Sequence, residues 1–551
     1  MLVNKTIHKT MTMMKKKVFA LLLCGLPLMI NAQDAFDVLQ MSQTELRGTS
    51  RFQSMAGAFG ALGGDLSTLT QNPAGIGVYR NSDLGITLAL DFNSTKAGVS
   101  TLNETKFNVN NVGYVGAIRL DSESLPNINF GFSYNRLQSF NRHYMGGVAN
   151  IPTSMSNYIA DGFINMGGFK EIDLFWENDF NPYTQGSAPW AAVTTYDMQT
   201  NTGGYVGIIN ANGDYMQGLF GQGTSGNAYY EVDERGHVDE YNIAFGGNIS
   251  NKVYFGLDFG ILDLDFKSFQ GYEEEMTNPY IMADDVDLLT SDITNYNTRA
   301  DWGLYNYLHT EGTGVNFKFG LIWRPTQALR IGAAFHTPTY YDMHDYNYLS
   351  AALKGYQDNE LLYSASKDSP DGNYNYNIKT PWHFMGSVAG VIGTSGIISM
   401  DYEYVANQTM RIGDDRGDFP DVTYNVEQYF KPSHIIRVGG EYRVNPNWSL
   451  RAGYSYKTTQ VKKGVDNYDD MIVTVGSNPA YQYDNKVQNI TCGVGYRYKS
   501  FYSDLAYVHK MRESVYNAFS PINDEYGYEP NVSADVKDNN NRISLTLGMR
   551  F

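Results

Sequence analysis

Asp401 and Glu403 stand two residues apart in a segment whose alternate positions are Ile398, Met400, Tyr402 and Tyr404, so both carboxylates point the same way. Paired carboxylates can serve as acid and base. Here Arg437, Glu441, Arg443 and Arg451 fall on the matching side of similar segments, which describes a wet polar lining rather than a reaction centre. No Gly-x-Ser-x-Gly or comparable nucleophile setting occurs. The nine His are scattered, and no two are spaced i, i+4 as helix-borne metal ligands would be. His336 lies opposite Phe335 on the polar side of its segment; His309 and His344 read as loop residues. A single His can ligate haem iron, but ordinary polar positions account for all three. The expectation is a chain with no catalytic residue, no metal and no cofactor. What remains is to find the elements that turn these polar sides inward.

Those elements are alternating segments. Leu84, Ile86, Leu88, Leu90 and Phe92 alternate with Gly85, Thr87, Ala89 and Asp91. Ile128 to Tyr134, Val315 to Trp323 and Trp448 to Tyr456 repeat the pattern. A period of two means strands with one apolar face. They run about ten residues with aromatic ends, the length of a membrane-spanning strand. The mean hydropathy of −0.37 is compatible with this, because alternating strands average to low values. Tyr 43, Gly 55 and 14% aromatic residues suit a barrel with interfacial girdles.

Export is expected from the N-terminus. Lys15–Lys17 precede an apolar run from Val18 to Ile30, and Ala32-Gln33 is a cleavage point. Residues 1–32 read as a signal peptide, and Edman sequencing of the mature chain is expected to begin near Gln33. Intact residues 1–30 in isolated outer membranes would refute export. The net charge of −17 becomes −22 once residues 1–32, with five Lys and no acid, are removed. That excludes nucleic acid as a partner. Only Cys492 then remains, so no disulfide framework exists.

Six connections are short: Asp121–Pro126, Ser250–Lys252, Pro325–Ala328, Gly393–Gly396, Asn445–Asn447 and Lys499–Ser500. The others read as long, the longest from His143 to Gly236. Six hairpins plus an opening strand near 84–95 and a closing one near 540–551 predict an all-β, 14-stranded antiparallel transmembrane barrel over 83–551, with long extracellular loops. Outer-membrane lipids are its surroundings. The last strand alternates cleanly from Ile543 to Phe551, the signature read by the barrel assembly machinery. One strand loses register: Phe255, Leu257, Phe259 and Ile261 share a face, then Leu262, Leu264 and Phe266 take over, which predicts a bulge near Ile261–Leu262.

Residues 33–82 differ. They contain Gly48-Thr49-Ser50-Arg51-Phe52, then Gly57, Gly60, Gly63, Gly64 and Asp65 among Ala and Leu, and end in Asn72-Pro73-Ala74-Gly75 before the first strand. No strand precedes Gly57 and no Lys-Ser/Thr follows, so this is no phosphate loop. Small residues instead suit a compact hatch packed against a barrel wall. A Gly/Ala-rich plug ending in Asn-Pro-Ala, followed at once by strand one of fourteen, resembles the FadL/TodX family of hydrophobic-compound transporters, and Arg51-Phe52, Gly-Gly-Asp and Asn72-Pro73-Ala74-Gly75 resemble its Bacteroidetes-type members. The resemblance implies a hatch inside the barrel, uptake of long-chain fatty acids or similar molecules, and lateral exit into the membrane through a kinked strand.

Two loop stretches carry apolar residues at helical spacing: Met155, Ile159 and Phe163, and Met282, Val286 and Leu289. Either they bury on neighbouring loops or they form a groove that receives substrate. A carboxylate headgroup would pair with a lumen Arg such as Arg119, Arg330 or Arg437. The reading is passive uptake of a hydrophobic small molecule across the outer membrane. The rivals are a hemin-binding receptor, a surface antigen or adhesin using the long loops, and an outer-membrane hydrolase, which lacks a nucleophile.

Overall fold

The alternating segments pair edge to edge in a ring. The computed structural model describes residues 34–551 except 166–173, 175, 177–178, 187, 202, 204, 209–215, 281, 284–297, 466–477 and 524–527. Residues 1–32, read as a signal peptide, lie outside the described residues. The wall has fourteen antiparallel strands. They are β1 (Asp83–Ala97), β2 (Ser100–Arg119), β3 (Asn127–Ser139, resumed at Arg142–Ala149), β4 (Ser225–Ile249), β5 (Val253–Thr277) and β6 (Arg299–Trp323). Then come β7 (Leu329–His336 and Tyr340–Gln357), β8 (Glu360–Asp368, Gly372–Lys379 and His383–Ile392), β9 (Gly396–Val405) and β10 (Ser433–Arg443). β11 (Trp448–Thr458), β12 (Tyr481–Tyr498), β13 (Phe501–Asn517) and β14 (Ser533–Arg550) complete it. β1 pairs with β14 from Asp83↔Arg550 to Ala97↔Val536, which closes the sheet on itself.

Each of the six short turns joins two strands at its expected place. Ser250, Asn251, Gly393 and Lys499 take positive φ there, the tight reversal that such turns need. On the opposite side two connections are tighter than expected. Gly98-Val99 joins β1 to β2, and Asp358-Asn359 joins β7 to β8. Their polar residues prolong the strands instead of forming loops. The longest connection also shrinks to 150–224, because Arg142–Ala149 ladders with Asn227–Glu234. His309 and His344 accordingly sit in β6 and β7, not in loops.

Outward positions near the short turns are apolar and exposed, as in Leu84, Ile86, Phe132, Phe317 and Leu545. Cys492 is exposed on this face, between Thr491 and Gly493, which turn inward. A water-soluble maleimide is expected to label Cys492 slowly in native membranes and fast after denaturation; rapid native labelling would mean a register one residue off.

The expected bulge in β5 is absent. β5 pairs with β4 and β6 from Val253 to Thr277 without a shift. What changes at Ile261–Leu262 is the environment on each side. Below it, Leu257, Phe259 and Ile261 face outward; above it, Asp263, Asp265 and Lys267 face outward while Leu262, Leu264 and Phe266 are buried inside. The strand has left the apolar layer and the lumen has become apolar. A ladder of 25 residues far exceeds the roughly 9–11 that cross a bilayer, so the upper half stands clear of it.

Register shifts occur instead between β1 and β2 at Thr87/Leu88, between β7 and β8 at Gly355/Tyr356, between β12 and β13 at Asp484/Lys486, and in β3. The register of β3 with β4 shifts between Arg136 and Gln138, and β3 breaks at Phe140-Asn141. β2 pairs with β3 only from Asn111↔Asn135 to Arg119↔Asn127. Ser100–Asn110 has ladder partners only in β1 among the described residues. The wall is therefore unzipped between upper β2 and upper β3.

Candidate functional site

Residues 34–82 fill the lumen. α1 (Ala35–Met41) starts with a capping box: the Asp34 carboxylate accepts from Phe36 N and Asp37 N, and Asp37 accepts from Asp34 N. Phe36 packs on Phe430, Tyr481 and Tyr429 at 5.2, 4.7 and 6.0 Å between centroids. It belongs to an apolar cluster with Leu262, Leu264, Phe266, Met343 and Ile378 from the upper wall. Burial pushes the Asp34 carboxyl up to about 6, against the capping bonds from the Asp37 and Phe36 amides. A raised carboxyl stabilises the docked form most below its unfolded value, and that stability is lost as pH rises through about 6. Backbone hydrogen exchange over Val38–Ser42 is expected to quicken between pH 5 and pH 7.5 beyond the intrinsic rise. Unchanged protection would place this carboxyl in water.

The following strap is tied by charge. Glu45 meets Arg47 at 2.7 Å and also pairs with Lys510 and Arg542. Burial opposes its ionisation, but the charges of Lys510, Arg47 and Arg542 prevail and hold its carboxyl well below the usual range.

Below the strap lies the Gly-rich segment. Arg51 pairs with Glu441 at 3.0 Å and stands 5.1 Å over the Phe59 ring; Phe52 packs on Phe59 at 5.5 Å. Asp65 accepts from Thr49 Oγ1 at 2.7 Å and from Ser67 N at 3.0 Å. Gly57, Gly63 and Gly64 take positive φ, and the Gly64 amide donates to Gly75 O. Asp401, fully buried, accepts from the Gly60 amide at 2.9 Å and from Gln71 at 3.3 Å. Asn72 accepts from Ala74 N at 3.1 Å and donates to Gly60 O at 2.5 Å, which holds the Asn72-Pro73 turn. Lumen-facing Gly256 and Gly439 matter equally: a Cβ on either would overlap the Pro73 or the Met55 carbonyl. The wall is smooth where the segment touches it.

Between α1 and this segment lies a cavity of about 250 Å³. Leu39, Met41, Phe140 and Leu262 line part of it; Arg437, Lys457, Lys318 and Glu403 line the rest. Lys318 is matched by Glu240 at 2.6 Å and Asp258 at 3.3 Å. Arg437 Nη2 donates to Glu403 at 2.6 Å, but its buried Nη1 has no hydrogen-bond partner. Lys457 donates to Gln43 Oε1 and makes no ion pair among the described residues. These two cations are free to meet an anion. The cavity also touches Asn135, the last residue of β3 paired with β2, and Arg136 and Leu137 in the unzipped stretch beyond it.

Of the three expected headgroup partners, only Arg437 lines the cavity. Arg119 is exposed at the short-turn mouth, donating to Arg80 O at 3.2 Å and Asn81 Oδ1 at 3.0 Å. Arg330 donates to Leu62 O at 2.7 Å and so pins the Gly-rich segment. Both have lumen parity but sit beneath that segment, a level that alternation cannot supply. Lys457 was missed for the same reason. Asp401 and Glu403 hold the segment and Arg437; Glu403 also bonds His383 at 2.7 Å, and His336 bonds Gln71 O at 2.8 Å.

Of the expected groove residues, Met155 and Ile159 are placed by the structure, and they bury on neighbouring loops. Met155 and Ile159 are fully buried with Tyr158, Trp190 and Phe519 against inward residues of the strand tips, including Tyr230 and Trp302. Phe163 belongs to the wide helical turn Tyr158–Asn165 and Met282 to a two-residue strand; Val286 and Leu289 lie outside the described residues. The outer loops thus cap the barrel with their own apolar core.

A family profile for outer membrane transport proteins (OMPP1/FadL/TodX) matches residues 226–519, more than half of the chain. The chain belongs to this family. FadL/TodX proteins transport hydrophobic compounds across the outer membrane, and the closed fourteen-stranded antiparallel wall matches FadL-like barrels. Three solved structures are similar to it. A FadL homologue of Pseudomonas aeruginosa has 12% identity over 92% of this chain and 99% of its own, with a TM-score of 0.49. The toluene transporter TbuX of Ralstonia pickettii has 14% identity over 92% and 99%, with a TM-score of 0.48. The toluene transporter TodX of Pseudomonas putida has 12% identity over 92% and 99%, with a TM-score of 0.42. No curated protein matches the chain.

Proposed function

We propose that this FadL/TodX member takes up amphiphiles with an apolar body and an anionic head, such as long-chain fatty acids, passively and without chemistry of its own. The observation that carries this reading is the lumen cavity, apolar towards α1 and lined towards the hatch by Lys457, which has no ion-pair partner among the described residues, and by Arg437, whose Nη1 is left without a hydrogen bond although its Nη2 pairs with Glu403. An anionic head desolvated there gains charge-assisted bonds that a neutral aromatic compound cannot make. At about 250 Å³ the cavity lies below the usual range of ligand sites, so a long chain also has to displace α1. Residues 33–82 act as the hatch. The unzipped edge between β2 and β3 is the side exit, since the cavity abuts it and no backbone ladder has to be broken there. Lipid mass spectrometry on protein purified in mild detergent tests the substrate class. Co-purified carboxylic or other anionic amphiphiles are expected; only neutral hydrocarbons or aromatics would overturn it.

A further inference from the structure

Asp265, His309 and Glu311 meet on the outer wall. Asp265 on β5 lies directly across from Glu311 on β6, and His309 is two residues from Glu311 on the same strand, so all three project outward. His309 Nε2 is 3.1 Å from Asp265 Oδ2 and 3.4 Å from Glu311 Oε1, and all three donor atoms lie within 4.8 Å of one another. Ligand atoms on a tetrahedral zinc ion, with bonds of about 2.0–2.1 Å, are roughly 3.3 Å apart. Two ligands at i and i+2 on one strand with a third from its neighbour form the tripod that a pleated sheet offers. Two carboxylates directly opposite each other repel, which favours a cation between them.

The surroundings reinforce this. In the same cross-strand row His237 lies opposite Asp265 and His344 opposite Glu311, so three of the chain's nine His fall in one patch. The patch starts where the outward apolar run of β5 ends at Ile261, which is the headgroup level of the outer leaflet. Lys267, cross-strand from His309 and 3.9 Å from Asp265, is the rival counter-charge; it is largely exposed and can swing away. We propose that Asp265, His309 and Glu311 bind a divalent first-row transition metal on the outer wall, with its open positions turned towards water and headgroup phosphates. One nitrogen and two carboxylate oxygens suit Zn²⁺ or Co²⁺ better than the all-oxygen shells of Ca²⁺ and Mg²⁺.

Calorimetry on the full-length, chelator-treated protein in detergent, with Zn²⁺ as the probe, tests this. One Zn²⁺ per chain is expected. Asp265→Asn, His309→Gln and Glu311→Gln should each weaken binding by at least about tenfold, and Lys267→Ala should tighten it. Co²⁺ should give a visible absorption band that His309→Gln removes. No binding at millimolar Zn²⁺, or equal binding in the three variants, would overturn the site. So would a Co²⁺ spectrum indifferent to His309, which would leave Lys267 as the counter-charge of the two carboxylates.

Discussion

Deleting Met55–Ser67 is expected to leave a barrel that folds and conducts. The wall is closed by ladders that this segment does not join, and β1 pairs with β14 from Asp83 onward, beyond the deletion. What is lost is the contact of Met55 with Gly439 and Gly453, the Gly60–Asp401 bond, and the Leu62 carbonyl that Arg330 holds. Asp401 and Arg330 would then face a continuous aqueous path, because a lumen of fourteen strands is too wide for the remaining wall side chains to fill. Single-channel conductance in planar bilayers should rise by about tenfold or more, towards that of an open porin. Selective uptake of hydrophobic compounds should fall. Replacing Asn72 and Pro73 by Gly should do the same more mildly, because it removes the Ala74 and Gly60 bonds and the fixed φ but leaves the plug in place. A deletion variant that folds and stays as closed as the parent would show that residues 33–82 are no hatch.

The wall was legible in the residues for a physical reason. Lipid imposes a strict period of two on one face, so β1, β6, β11 and β14 and all six short turns could be read directly. The reading failed where lipid stops. In β5 the apolar residues change sides at Ile261–Leu262, and pattern alone cannot tell a one-residue bulge from a change of solvent on both faces. The shift and break in β3 carry no such signal: Leu137 and Phe140 look like ordinary strand residues. Levels along the lumen were also hidden. Arg119, Arg330 and Arg437 share inward parity, yet only the hatch decides which of them sees the cavity. α1 is seven residues long, too short for a helical period to stand out, although it supplies the apolar wall of the site. The Asp265–His309–Glu311 cluster joins two strands over more than forty positions, and only register brings it together.

Lys457→Met is expected to cost the barrel nothing in stability and to reduce uptake of a long-chain fatty acid by about tenfold, since a charge-assisted bond contributes about 1.5–3 kcal/mol. Lys457 is half-buried against Gln43, with no carboxylate within ion-pair distance among the described residues. A partly desolvated ammonium without a carboxylate partner is unfavourable, so a methionine of similar shape should leave thermal unfolding unchanged or slightly raised. Gln43 Oε1 keeps its bond from Gln460 Nε2 at 2.9 Å. A charge held at a loss to stability is intelligible when a ligand supplies its partner. Arg437 needs a different design. Removing it alone strands Glu403, buried at 7% exposure, and breaking such a pair costs about 3–5 kcal/mol. The double change Arg437→Leu with Glu403→Leu removes both charges together, so no buried charge is left unpaired, and tests what the pair contributes to binding. Uptake of a fatty acid and of a neutral aromatic compound should be measured in parallel in cells lacking the native protein. Loss confined to the fatty acid is the expected result. Equal loss of both, with unchanged expression and unfolding temperature, would mean that the two cations shape the cavity rather than hold an anionic head, and the substrate would then have to be sought among neutral compounds.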